Sequence, residues 1–109
     1  MIAQVETPSA IEQLPAILQT PEIDVIFVGP SDLSLSLGVP GDWQHPKLLA
    51  AFDKIVAAVQ GSDKALGVLV PNVEAALEWQ ARGARYIMVV MEAILAPAVR
   101  SFLTTLRQS

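Results

Sequence analysis

Apolar residues fall along the chain in two rhythms, short continuous runs and stripes at spacings of three and four, and their alternation predicts a repeating order of strand and helix. Ile2 to Glu6 reads as a short strand, with Ile2, Gln4 and Glu6 on one side and Ala3 and Val5 on the other. Thr7 and Pro8 follow as an N-cap and a first helical residue, and Ser9 to Glu12 offers capping-box spacing one step later. Pro15 interrupts this helix, so a second turn through Ala16, Ile17 and Leu18 is expected after the break. Val25 to Val28 has no polar alternation, which suits a parallel strand covered on both faces. Gly29 and Pro30 stop it, and Asp32 opens a short helical pattern.

A loop rich in Gly and Pro spans Gly38 to Gln44, and His45-Pro46 starts the most regular helix of the chain. Its stripe is Leu48, Leu49, Phe52, Ile55, Val56 and Val59, with Lys47, Asp53, Lys54 and Gln60 away from it, and Gly61 ends it. Ala65 to Val70 is the third expected strand, with Gly67 placed for a close backbone approach. Asn72 caps a helix through Glu78, Trp79 and Gln80 that closes at Gly83 as a left-handed stop. Tyr86 to Val90 is the fourth strand, and Pro97 serves as the first residue of a last helix whose apolar face is Val99, Phe102, Leu103 and Leu106. The order predicts an α/β fold of parallel strands joined by right-handed crossovers. Four βα units are half of an eight-unit barrel, so residues 1–109 are expected to form a single partial domain.

Composition sharpens this picture. A hydrophobic fraction of 52% and a mean hydropathy of +0.47 are high for 109 residues, which implies apolar faces covered by a partner or by more of the same fold. No apolar run approaches the ~20 residues of a membrane span. The N-terminus reaches Glu6 without a basic region, so it does not read as a signal peptide. The absence of cysteine removes disulfides, thiol catalysis and zinc-thiolate sites and is compatible with the cytosol. A net charge of -4 with scattered Lys and Arg argues against a nucleic-acid surface.

The candidate chemistry lies at one rim. Glu6 ends the first strand and Asp32 follows the second, so one crossover brings both carboxylates to the carboxyl ends of adjacent parallel strands, where α/β folds bind ligands. Two unpaired carboxylates close together favour a shared proton or a hard divalent cation, here of the magnesium or manganese kind. The other reading is two helix-capping acids that stabilise macrodipoles. The turn Gly29-Pro30-Ser31-Asp32 offers free N–H groups to a carboxylate or phosphate. A 2-oxo acid could present its carboxylate there while chelating the metal, with Gln4 donating to it. Gln4 is equally readable as a buried amide of the barrel core. His45 reads as a cap, Trp43 and Trp79 as packing or interface residues. Ser31, Ser34 and Ser36 have no evident activating base.

QVET at Gln4 to Thr7, VIFVGPSDLSLSLG at Val25 to Gly38, His45-Pro46 and KALGVLV at Lys64 to Val70 together resemble the second half of the HpcH/HpaI aldolase family, metal-dependent class II pyruvate aldolases related to the citrate lyase β-chain. The resemblance implies a TIM barrel, commonly a hexamer of swapped-helix dimers, in the cytoplasm. It implies that Glu6 and Asp32 ligate a divalent cation (magnesium, manganese or cobalt) and that Gln4 contacts the 2-oxo acid. It further implies that the amides of Ser31 and Asp32 hold the acid's carboxylate, with Gly29 allowing close approach and Leu69 lining the pocket. The expected reaction is retro-aldol cleavage of a 4-hydroxy-2-oxo acid. The family's histidine base and arginine come from the first half of the barrel, so this chain is expected to be a truncated or split aldolase. Its expected partners are further copies or a complementary N-terminal half. A binding module without turnover and a purely structural half barrel are the alternatives. Val90-Met91-Glu92 departs from the family pattern, which usually has a glycine and an aspartate there.

Overall fold

The computed structural model describes residues 1–108. Its strands are β1 (Ile2–Val5), β2 (Val25–Val28), β3 (Ala65–Val70) and β4 (Ala84–Val89). Its helices are α1 (Pro8–Glu12), α2 (Leu14–Leu18), α3 (Pro30–Ser36), α4 (Pro46–Gln60), α5 (Val73–Ala81) and α6 (Met91–Arg107). The strands form one sheet in sequence order, and every pairing is parallel, as the alternation of strands and helices requires.

Local chemistry sets most boundaries. The side chain of Thr7 accepts a hydrogen bond from Ala10 N at 3.1 Å and starts α1, with Pro8 at a position where its missing N–H costs nothing. His45 Nδ1 accepts from Lys47 N at 3.1 Å, and Asn72 Oδ1 from Ala75 N at 2.8 Å, so both predicted caps open their helices. Gly83, at φ +101°, makes the left-handed exit from α5.

The core lies between the outer face of the sheet and helices α1, α2, α4 and α5. Val5, Ile26, Val28, Leu66, Val68 and Val70 from the strands meet Ile11, Leu14, Leu48, Phe52, Ile55 and Val59 from the helices. Each such side chain contributes about 1.5–3 kcal/mol by leaving water. Trp79 is also buried, edge-on to Phe52 at 5.0 Å between centroids, with the Arg82 guanidinium 5.4 Å over its ring. Trp43 is exposed.

Four expectations change. β1 stops at Val5, because Thr7 and Pro8 turn the chain into α1 and leave Glu6 beyond the ladder. α3 begins at Pro30 rather than Asp32, with proline at its first position. β4 runs from Ala84 to Val89, and Val90 becomes the N-cap of α6. α6 begins at Met91, not at Pro97. Met91, Ala93, Leu95 and Ala96 favour helix enough to carry the chain past Pro97, whose ring nitrogen cannot donate to the carbonyl four residues back.

Covering on both faces is realised only in part. β2 and β3 are largely buried, but the inner face of the sheet carries no layer, and five of the six β4 residues are exposed. α6 has no buried residue. The molecule is correspondingly elongated, 59 × 28 × 21 Å.

Candidate functional site

β1 and β2 pair as far as Val5 opposite Val28, so Glu6 and Gly29 leave the sheet side by side at its carboxyl rim. Asp32 stands in the first turn of α3, immediately above. The two carboxylates meet over Gly29. A Cβ built on that glycine would stand 3.1 Å from Glu6 Oε1 and 3.6 Å from Asp32 Oδ2. Gly29 has φ -101°, a value open to any residue, so what it supplies is space and not conformational freedom. The convergence expected from the sequence is present, and the cradle exists because position 29 has no side chain.

The charge at this spot is unbalanced. Among the described residues the ion pairs are Met1 with Asp24, Lys64 with Asp63, and Arg82 with Asp53, and neither Glu6 nor Asp32 belongs to one. Among the described residues no group of three His, Cys, Asp or Glu side chains is placed to hold an ion. A structural zinc site is therefore a poor match. Magnesium-type ions, in contrast, take one or two protein carboxylates and fill their shell with water and substrate oxygens, which an all-oxygen pair on an open rim suits.

Hydroxyl groups brace the rim in a way the sequence reading missed. Ser36 Oγ donates to the Glu6 carbonyl at 2.6 Å, tying the end of α3 to the end of β1. Ser34, buried, donates to Ser31 O at 2.7 Å and accepts from Gly41 N at 3.3 Å, which fixes the loop after α3. The available signal was the spacing of Ser36, four residues after Asp32 and so on the same helical face. His45, engaged through Nδ1 at the start of α4, is a cap as expected.

The remaining candidates spread from this spot across the inner face. Ser31 and Asp32 lie at the second and third positions of α3, where backbone N–H groups have no partner within the helix. Gln4 is exposed, and among the described residues no layer buries its amide as the barrel-core reading requires. With Ile2, Phe27, Tyr86 and Met88 it lines a hollow of about 380 Å³ on the inner face. Leu69, half-buried, sits opposite Met88, two residues beyond Gly67 on β3, and does not line that hollow. Gly67 makes room for side chains, not for backbone. A Cβ there would stand 3.0 Å from Phe27, Tyr86 and Val25, and the Phe27 and Tyr86 rings meet edge-on at 6.0 Å. Met91 and Glu92 lie in the exposed first turn of α6.

The chain and its fold match known proteins. Residues 1–96 match the sequence profile of the family described as HpcH/HpaI aldolase/citrate lyase. A 4-hydroxy-2-oxo-heptane-1,7-dioate aldolase of Escherichia coli is 35% identical over 95 residues, 87% of this chain and 36% of that enzyme. The crystal structure of an HpcH/HpaI aldolase/citrate lyase family protein from Burkholderia cenocepacia J2315 superposes with a TM-score of 0.92 at 34% identity, covering 97% of this chain and 42% of that one. The citrate synthase SbnG superposes with a TM-score of 0.84 at 25% identity, covering 98% of this chain and 44% of that one. The chain thus spans well under half the length of the relatives it matches.

Proposed function

The chain belongs to the HpcH/HpaI aldolase/citrate lyase family, and from that membership and the rim geometry we propose that it carries the divalent-metal and 2-oxo-acid half-site of a class II pyruvate aldolase. The observation that carries this reading is the pair of uncompensated carboxylates, Glu6 and Asp32, converging above the bare Cα of Gly29. In it they hold magnesium, manganese or cobalt. The first-turn amides of Ser31 and Asp32 receive the carboxylate of the acid, Gln4 donates to the same ligand from β1, and Leu69 keeps the neighbouring wall apolar. Gly29 keeps the approach open.

A cation at that position supplies Lewis-acid stabilisation of the charge that grows on the keto oxygen as the carbon–carbon bond of a 4-hydroxy-2-oxo acid breaks. The chain's own groups bind and orient: the α3 amides fix the carboxylate end of the acid. Taking the 4-hydroxyl proton needs a base, and His45 is engaged as a helix cap. Turnover is therefore assigned to an assembly in which further residues face this rim, supplied by another copy or by a complementary N-terminal half. A half-site that binds without turnover is the second reading.

Calorimetric titration of the full chain with pyruvate or oxalate, with and without manganese, tests the half-site. Metal-dependent binding that disappears in Asp32→Ala is the expected result, and no binding by the folded wild-type chain would overturn the assignment. Cleavage of a 4-hydroxy-2-oxo acid by the chain in its monomeric form would overturn the need for an assembly.

A further inference from the structure

Glu6 contributes a carboxylate to the rim without being part of the sheet. The β1–β2 ladder ends at Val5, and α1 begins only after Thr7. A residue in such a gap is free to swing unless something else holds its backbone, and the reach of its long side chain magnifies any such swing. The group that holds it is Ser36. Its hydroxyl lies 2.6 Å from the Glu6 carbonyl and 3.0 Å from Leu33 O, and with one proton to donate the shorter contact is the stronger claim on it. Ser36 and Asp32 are four residues apart and share a face of α3, so one rigid turn carries Asp32 at one end and the tie to Glu6 at the other.

We infer that Ser36 is a positioning residue that sets the separation of the Glu6 and Asp32 carboxylates by clamping the Glu6 main chain to α3. The inference rests on the metal half-site reading proposed above. Ser36 is exposed and is not among the buried core residues, so its loss is expected to leave the fold intact and to act at the rim.

The test is manganese binding to the full chain, followed by the electron paramagnetic resonance of the free aquo ion, in wild type, Ser36→Ala, Ser36→Thr and Asp32→Ala. Ser36→Ala is expected to weaken binding about three- to tenfold, the range of one net hydrogen bond. Ser36→Thr, which keeps the hydroxyl, is expected to stay close to wild type, and all far-ultraviolet circular dichroism spectra should superpose. Unchanged affinity in Ser36→Ala, with Asp32→Ala still abolishing binding, would overturn the clamp and leave the half-site standing. Equal weakening by alanine and threonine, or an unfolded alanine variant, would overturn it too. Failure of the wild-type chain to bind manganese would instead bring down the half-site reading and the clamp with it.

Discussion

Strands β2 (Val25–Val28) and β4 (Ala84–Val89) are built from similar residues, yet three of the four positions of β2 are buried and five of the six in β4 are exposed. The difference lies in their neighbours. β2 has a strand on each side, and its outer face belongs to the helix-covered core. β4 is an edge strand packed chiefly by α5, and no residue of α6 is buried. α6 nonetheless carries an apolar series, with Ile94, Leu95, Val99, Phe102, Leu103 and Leu106 all exposed. Apolar residues at helical spacing report which face a helix is meant to bury, not that this chain alone buries it. The residues from 84 to 107 thus read as surface written to be covered by more protein.

The sharpest way to test that contrast is to cut one apolar side chain on each side of it. Leu48, fully buried in α4, is expected to cost about 2–5 kcal/mol on truncation to alanine. Phe102, 69% exposed, is expected to cost less than about 0.5 kcal/mol in the same truncation at low protein concentration. Urea unfolding at two protein concentrations checks both. If α6 docks on a partner copy, wild type gains stability with concentration and Phe102→Ala does not. A large loss in dilute Phe102→Ala would mean that α6 is already packed within one chain, and the contrast would fail.

The inner face of the sheet is intermediate between these extremes, and Gly67 is the place to probe it. Phe27 is nearly buried there although it stands outside the main core, because it packs across Gly67 with Tyr86. Gly67→Ala puts a methyl 3.0 Å from both rings and from Val25. Overpacking of this kind is expected to cost about 1–3 kcal/mol. It should also remove the near-ultraviolet circular dichroism of Tyr86. A neutral substitution would mean that the open inner face relaxes freely, like β4 and α6.

Legibility in the sequence follows the same division. Strands, caps and the α4 stripe were readable because each is decided by chain-local chemistry: His45 before Pro46, Asn72 three residues before Ala75, Gly83 after α5. The meeting of Glu6 and Asp32 was readable because parallel strands must end at one rim. What could not be read depends on neighbours distant in the chain. The exposure of β4 turns on what lies beyond an edge, and the start of α6 on whether Met91 to Ala96 outweigh Pro97. Gly67 was marked as a point of close approach, but that the approach is made by two rings depends on register. Ser36 was weighed as a nucleophile and set aside for lack of a base, when its hydroxyl serves a carbonyl thirty residues away in sequence.

The smallest expected effect lies on the covered side, where the sheet meets solvent at the opposite end from the rim. The Met1 amino group donates to the Asp24 carboxylate there, while Asp24 N donates to Met1 O at 2.8 Å and Ala65 N to Asp24 O at 3.0 Å. The hydrogen bond from the amino group, and then its positive charge, hold the Asp24 carboxyl below its ordinary value. A carboxyl with a lowered folded pKa adds stability that is fully present above its unfolded pKa and is lost as pH falls through the folded one. Asp24→Asn should therefore melt slightly below wild type at neutral pH and low salt, and the two curves should converge as acid protonates the carboxyl. Both partners are exposed, so salt should erase most of the difference. A gap that survives high salt or persists in acid would overturn the charge account, because the main-chain bonds of residue 24 to Met1 and Ala65 are the same in both chains. A gap that vanishes in both leaves the seam between the first three strands to those main-chain bonds, with the charge a small addition.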